Sequence, residues 1–136
     1  MENDDLTYAI IGCALNVFNK LGNGFQEVIY QRCLAIELKK AGIDFGREVE
    51  QIIFYDGHEV GTRRADFIVE GKVVVELKAI IALEAVHIAQ AKNYVVAYDF
   101  KIGLLINFGS KSLERKRIFN PKYNIPNSDN RDKLSS

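Results

Sequence analysis

Residues 101–108, Lys-Ile-Gly-Leu-Leu-Ile-Asn-Phe, form a nearly continuous apolar run. That run restricts the fold more than any other segment. A strand with one wet face alternates polar and apolar residues, whereas a run this uniform marks a strand covered on both faces. It follows a helix predicted from about Leu83 to Tyr98, which in turn follows an apolar strand, Val73–Lys78. A helix between two strands usually makes a parallel crossover, so these two strands are expected side by side and parallel.

The rest of the pattern surrounds that unit. Leu6, Ile10, Cys13, Val17 and Leu21 recur at three- and four-residue steps, which predicts an amphipathic helix over about Leu6–Leu21. Gly22-Asn23-Gly24 ends it with residues that tolerate left-handed backbone. A second helix is predicted over about Gln26–Ala41, with Glu27, Tyr30, Leu34 and Leu38 on one stripe and Gly42 closing it. Val49, Gln51, Ile53 and Tyr55 alternate along a strand that ends at the hairpin signal Asp56-Gly57. A short strand near His58–Gly61 leads to another at Ala65–Val69, then to the turn Glu70-Gly71-Lys72 and strand Val73–Lys78. A last strand is expected near Leu113–Phe119. The predicted order is α-α-β-β-β-β-α-β-β, a mixed β-sheet flanked by helices and so an α/β fold. Residues 1–120 form one domain in this reading, and 121–136, broken by Pro121 and Pro126, form a polar, flexible tail.

At 136 residues, 48% hydrophobic and 26% charged, the chain can bury a core without disulfide or metal staples. It has no apolar run of membrane-spanning length, and its acidic start lacks a signal-peptide pattern. A cytoplasmic protein with no membrane partner is expected. Cys13 and Cys33 fall in helical segments and read as small core residues, with no zinc-ligand spacing. The net charge of zero argues against a strongly basic nucleic-acid coat. It is unevenly spread, however. Residues 110–136 carry seven Lys/Arg against three Asp/Glu, so the basic end either contacts phosphates or is simply solvated.

The hairpin around Gly71 brings the chemistry together. If Val69 faces Val73, continued pairing sets Asp66 opposite Glu76, with Cβ atoms about 5 Å apart. Two carboxylates this close repel unless a cation sits between them, and oxygen donors suit Mg²⁺ or Mn²⁺. Glu76 and Lys78, two apart, share a face, while Val73, Val75 and Leu77 point into a core. An ammonium there can orient a metal-bound water and offset charge on a phosphoryl transition state. Taken alone, Glu-x-Lys also describes a surface ion pair. His87, Gln90 and Tyr94 share one stripe of the third helix. Gln90 and Tyr94 either hold substrate or water beside the metal or pack together, and His87 is assigned outside the ligand set. Glu27 is favoured at a helix start by the dipole, and its place beside Tyr30 on the inner stripe also admits a site role. Arg63-Arg64 offers phosphate contacts or a solvated pair.

Several of these segments together resemble the GxxExxY family of the PD-(D/E)XK nuclease superfamily. They are Gly24-Phe25-Gln26-Glu27-Val28-Ile29-Tyr30, Arg64-Ala65-Asp66, Glu76-Leu77-Lys78-Ala79, His87-x-x-Gln90-x-x-Asn93-Tyr94, and Gly103-Leu104-Leu105-Ile106-Asn107-Phe108. The resemblance covers about residues 5–119. It departs at Asn23, where the family often has proline, at Phe18, where histidine is common, and at Ala89, where glutamate is common. It implies a PD-(D/E)XK nuclease-like (restriction-endonuclease-like) α-β-β-β-α-β core. It also implies Mg²⁺ or Mn²⁺ held by Asp66, Glu76 and the Leu77 carbonyl, with Lys78 as catalytic lysine. Glu27 would support a metal or water, and Gln90 would stand among the catalytic groups. Tyr94, Tyr30 and Arg64 would face the substrate.

The expected function is metal-dependent phosphodiester hydrolysis of nucleic acid, DNA ahead of RNA. The alternative on the same fold is a non-catalytic nucleic-acid-binding or protein-interaction module, since fold does not fix function. A small-nucleotide phosphodiesterase would use the same metal site. With so little net charge, a homodimer or a partner protein would supply the extended basic channel.

Overall fold

In the computed structural model, which describes residues 3–123, five strands form one sheet in the order β1-β2-β3-β4-β5. The elements are α1 (Asn3–Leu21), α2 (Glu27–Lys40), β1 (Phe45–Tyr55), β2 (His58–Val69), β3 (Val73–Lys78), α3 (Ala85–Ala97), β4 (Ile102–Asn107) and β5 (Glu114–Phe119). The apolar run is the core strand expected of it: every residue of β4 is buried, and β4 lies parallel to β3. All other neighbours are antiparallel.

Two apolar layers cover the sheet. On one face, α1 and α2 press Leu6, Ile10, Val17, Tyr30, Leu34 and Leu38 against Val73, Val75, Leu77 and the inward residues of β4. On the other face, α3 packs Ala91 and Val95 over Val74, Leu105 and Ile118. Gly103 makes the second contact possible, because a Cβ there would run into the Val95 side chain and come within 3.0 Å of that of Val74. A glycine in a strand interior here marks the close approach of a helix.

Two sequence expectations change. The segments near His58–Gly61 and Ala65–Val69 are one continuous strand, β2, so there are five strands rather than six. The polar stretch Gly61-Thr62-Arg63-Arg64 interrupts the apolar alternation, but β1 pairs with it throughout, from Tyr55↔His58 to Phe45↔Val69. β1 starts at Phe45, four residues ahead of the expected Val49. Asn120, the last residue of the expected domain, is buried, and its backbone N–H and Nδ2 donate to the Lys101 and Phe100 carbonyls. Beyond Tyr123 the expected tail lies outside the described residues. Among the described residues, no helix is long and apolar enough to cross a membrane.

Candidate metal centre

The turn between β2 and β3 sets the register. Glu70 and Gly71 both take left-handed backbone (φ 55° and 65°), and the Lys72 N–H donates to the Val69 carbonyl at 2.9 Å. Two left-handed central residues give a tight turn whose twist matches that of a hairpin. The pairs Val69↔Val73, Ile68↔Val74 and Phe67↔Val75 follow. The next step would pair Asp66 with Glu76, and there the ladder stops. Asp66 instead turns its carboxylate onto β3, where Oδ2 accepts the Leu77 N–H at 2.7 Å. On the other side of β2, the position facing Asp66 is Glu48, which lies between the pairs Arg47↔Phe67 and Val49↔Ala65 and has φ 53°. A non-glycine residue in that region is uncommon and marks local strain. β2 therefore leaves β3 at Asp66 and runs on with β1 as a two-stranded ribbon.

Glu76 lies in the fork, on the α3 side, and is only 5% exposed. Burial raises its carboxyl to a pKa of about 7, and the nearby Asp66 adds to the rise, while the Arg63 guanidinium works against it. Arg63 Nη1 donates to Glu76 Oε1 at 2.6 Å and to the Tyr98 hydroxyl at 3.2 Å. Its guanidinium lies 3.9 Å from the centre of the Tyr94 ring, and Tyr94 stacks on Tyr98. Burial disfavours the Arg63 charge, but the bonds to Tyr98 and Glu76 more than offset this and hold its pKa above the ordinary value. Asp66 Oδ1 accepts from Gln31 Nε2 at 3.3 Å, and Gln31 Oε1 accepts from Arg47 Nε at 2.9 Å. Lys78 ends β3, and its carbonyl accepts the Phe108 N–H. Glu27, the first residue of α2, reaches solvent yet is crowded on its inner side. Burial, then the charge of Asp66, push its carboxyl upward, and Lys78 and Arg63 pull it back. Asp66, Lys78, Arg63 and Glu27 thus share one electrostatic neighbourhood with Glu76.

The loop after Lys78 is pinned from β4. Buried Asn107 accepts the Ile80 and Gly109 N–H groups through Oδ1 and donates through Nδ2 to the Ile80 carbonyl and Glu114 Oε1. Glu114 Oε1 also accepts the Leu83 N–H. This network holds one wall of a groove of about 640 Å³, bordered by Phe25, Ile81 and Gly109.

Not every anticipated residue joins the cluster. Tyr30, expected to face substrate, is fully buried: its hydroxyl donates to the Gly22 carbonyl at 2.6 Å, accepts the Phe25 N–H, and its ring stacks on Phe108. It ties down the turn ahead of α2, because a residue on the inner stripe is buried before it is available. Arg64 is exposed, and strand alternation turns it away from the face of Glu76; Arg63 takes the place facing the carboxylates. Gln90 is exposed on α3, one turn before Tyr94. Leu77 contributes its N–H to Asp66, with its side chain in the core. His87 Nδ1 accepts the Glu84 N–H at the start of α3. Gln31 and Tyr98 had a signal available: each lies four residues beyond a named candidate, Glu27 or Tyr94, on the same helical face.

Among the described residues, no group of three or more His, Cys, Asp or Glu gathers to hold a metal. Two carboxylates completed by waters suit Mg²⁺ or Mn²⁺, which bind through one or two carboxylates; zinc wants more protein ligands. The donor set fits a hard divalent cation.

The five-stranded mixed sheet with helices on both faces and carboxylates at a strand fork defines a nuclease-like α/β protein. The profile of the PD-(D/E)XK nuclease superfamily matches residues 4–118, and the chain belongs to that superfamily. The fold is similar to the crystal structure of SSO0001, with a TM-score of 0.55 at 23% identity over 70% of this chain. The match spans 50% of the SSO0001 chain. No curated protein matches.

Proposed function

We propose that the chain is a divalent-metal-dependent nuclease that hydrolyses phosphodiester bonds of nucleic acid, DNA ahead of RNA, and that within its superfamily it is a GxxExxY-type member acting in the cytoplasm. The observation that carries this reading is the convergence of Asp66 and Glu76 at the β2–β3 fork, with Lys78 two residues along the same strand. Asp66, Glu76 and the Leu77 carbonyl would hold Mg²⁺ or Mn²⁺, which supplies a polarised phosphate and an acidified water. Lys78 offsets negative charge on the phosphate as the bond to water forms. Glu27 and Gln90 orient the water or a phosphate oxygen, and Tyr94 contacts the strand being cut. A second copy or a partner protein extends the binding surface.

A second reading, a non-catalytic nucleic-acid-binding or protein-interaction module, draws on the Arg63–Glu76 ion pair, which already compensates the buried carboxylate with a side-chain cation. Titration calorimetry with Mn²⁺ on wild type, Asp66→Ala and Glu76→Ala separates the two. Binding by wild type that disappears in both folded variants, together with metal-dependent cleavage of DNA, supports the nuclease. Folded wild type that takes up no Mn²⁺, with or without oligonucleotide, leaves the module.

A further inference from the structure

Arg63 stands where the metal reading calls for a metal. Its Nη1 is 2.6 Å from Glu76 Oε1, with the Glu76 side chain 7% exposed and that of Arg63 29% exposed. Along β2 from His58 to Arg64, every other residue is exposed, and Arg63 alone turns inward. The seat is built for a guanidinium: Tyr94 lies under its plane and the Tyr98 hydroxyl accepts from it, and these two rings stack at 5.7 Å. Pairing of β2 with β3 ends at Phe67↔Val75, so the backbone carrying Arg63 is held by β1 rather than by the strand that carries Glu76. A hydrogen bond this short competes with a metal ion for the electrons of Oε1, and a guanidinium a few ångströms from a divalent cation repels it.

We propose that Arg63 is a placeholder cation: it compensates Glu76 in the metal-free protein, and a divalent ion must displace it to bind. This rests on the metal-site reading above and adds to it a competitor carried by the chain itself. Leaving a buried carboxylate without a cation is costly, so a side-chain cation lets the empty site fold. Arg63 is in this sense a positioning residue that sets metal affinity through Glu76, and the mobile element is the β1–β2 ribbon that bears it.

The test is Mn²⁺ titration calorimetry on wild type, Arg63→Gln and Glu76→Gln, with circular dichroism to confirm folding. Arg63→Gln is expected to bind Mn²⁺ about tenfold more tightly than wild type, the scale of one charge-assisted hydrogen bond that no longer has to be broken. Glu76→Gln is expected to lose binding. Equal or weaker binding by folded Arg63→Gln overturns the placeholder while leaving the metal site standing; no binding by either wild type or Arg63→Gln overturns both. A readout in wild type needs no variant. The Arg63 guanidinium resonances in ¹⁵N NMR are expected to change from restricted to fast rotation as Mg²⁺ is added. Resonances unchanged at saturating Mg²⁺ would show that the ion pair survives loading and sink the proposal.

Discussion

At the scale of single residues, Glu76 controls the pH response. Its folded-state pKa of about 7 stands above the ordinary 4.5. A carboxyl raised by folding contributes stability that is full below its unfolded value and is lost as pH rises through its folded value. Metal-free wild type is therefore expected to lose melting temperature relative to Glu76→Gln between about pH 5 and about pH 8. Metal must expel the Glu76 proton, so Mn²⁺ affinity is expected to rise by at most about tenfold per pH unit up to about pH 7 and then level off. Calorimetry in buffers of differing ionisation enthalpy reads the released proton directly. Tyr30 provides the contrast. Tyr30→Phe removes its bonds to Gly22 and Phe25 and is expected to cost about 1 kcal/mol in denaturant titration with metal affinity unchanged. Weaker metal or nucleic-acid binding at unaltered stability would return Tyr30 to the site. The nearness of Asp66 and Glu76 was legible because a turn fixes register and register fixes neighbours; that pairing ends one step short of them, with Asp66 turned onto the Leu77 N–H, was not. Arg63 was harder to choose over Arg64, because a polar ribbon has no apolar alternation to say which side faces inward.

At the scale of elements, periodicity and punctuation located the three helices and most strand boundaries, since each element buries a face and each ends in residues suited to turns, although β1 begins at Phe45 rather than Val49; one strand was divided that is continuous. That strand, β2, is polar through Gly61–Arg64, and its strand character comes from its partner β1 rather than from burial. The close contact of α3 with β4 is the packing feature easiest to break. Gly103→Ala is expected to destabilise by about 1–3 kcal/mol, because a β-branched valine and a strand backbone have little room to yield. Urea unfolding measures this. A cost below a few tenths of a kcal/mol would mean that α3 rides more loosely on the sheet.

At the scale of the molecule, a cation that binds only the folded chain stabilises it by mass action. Mn²⁺ at about a hundredfold excess over its Kd is expected to add about 2.7 kcal/mol, several degrees in melting temperature, to wild type and nothing to Asp66→Ala. A scanning fluorimetry series decides this, and an equal shift in both proteins would place the ion elsewhere. The balanced net charge was readable at once, but it averages over a surface and gives no hint that a buried carboxylate, with a half-buried one beside it, meets a guanidinium at one strand fork. That fork is also a fulcrum. From Asp66 to the tip at Asp56-Gly57 the ribbon extends about 25–30 Å, and Arg63 sits about 10 Å along it. A swing of about 10° would carry the tip, with its exposed Tyr55 and Val60, through roughly 5 Å, and Arg63 through roughly 2 Å. A shift that small ends a hydrogen bond. Whatever grips the far end of the ribbon thus acts on the carboxylates through a lever.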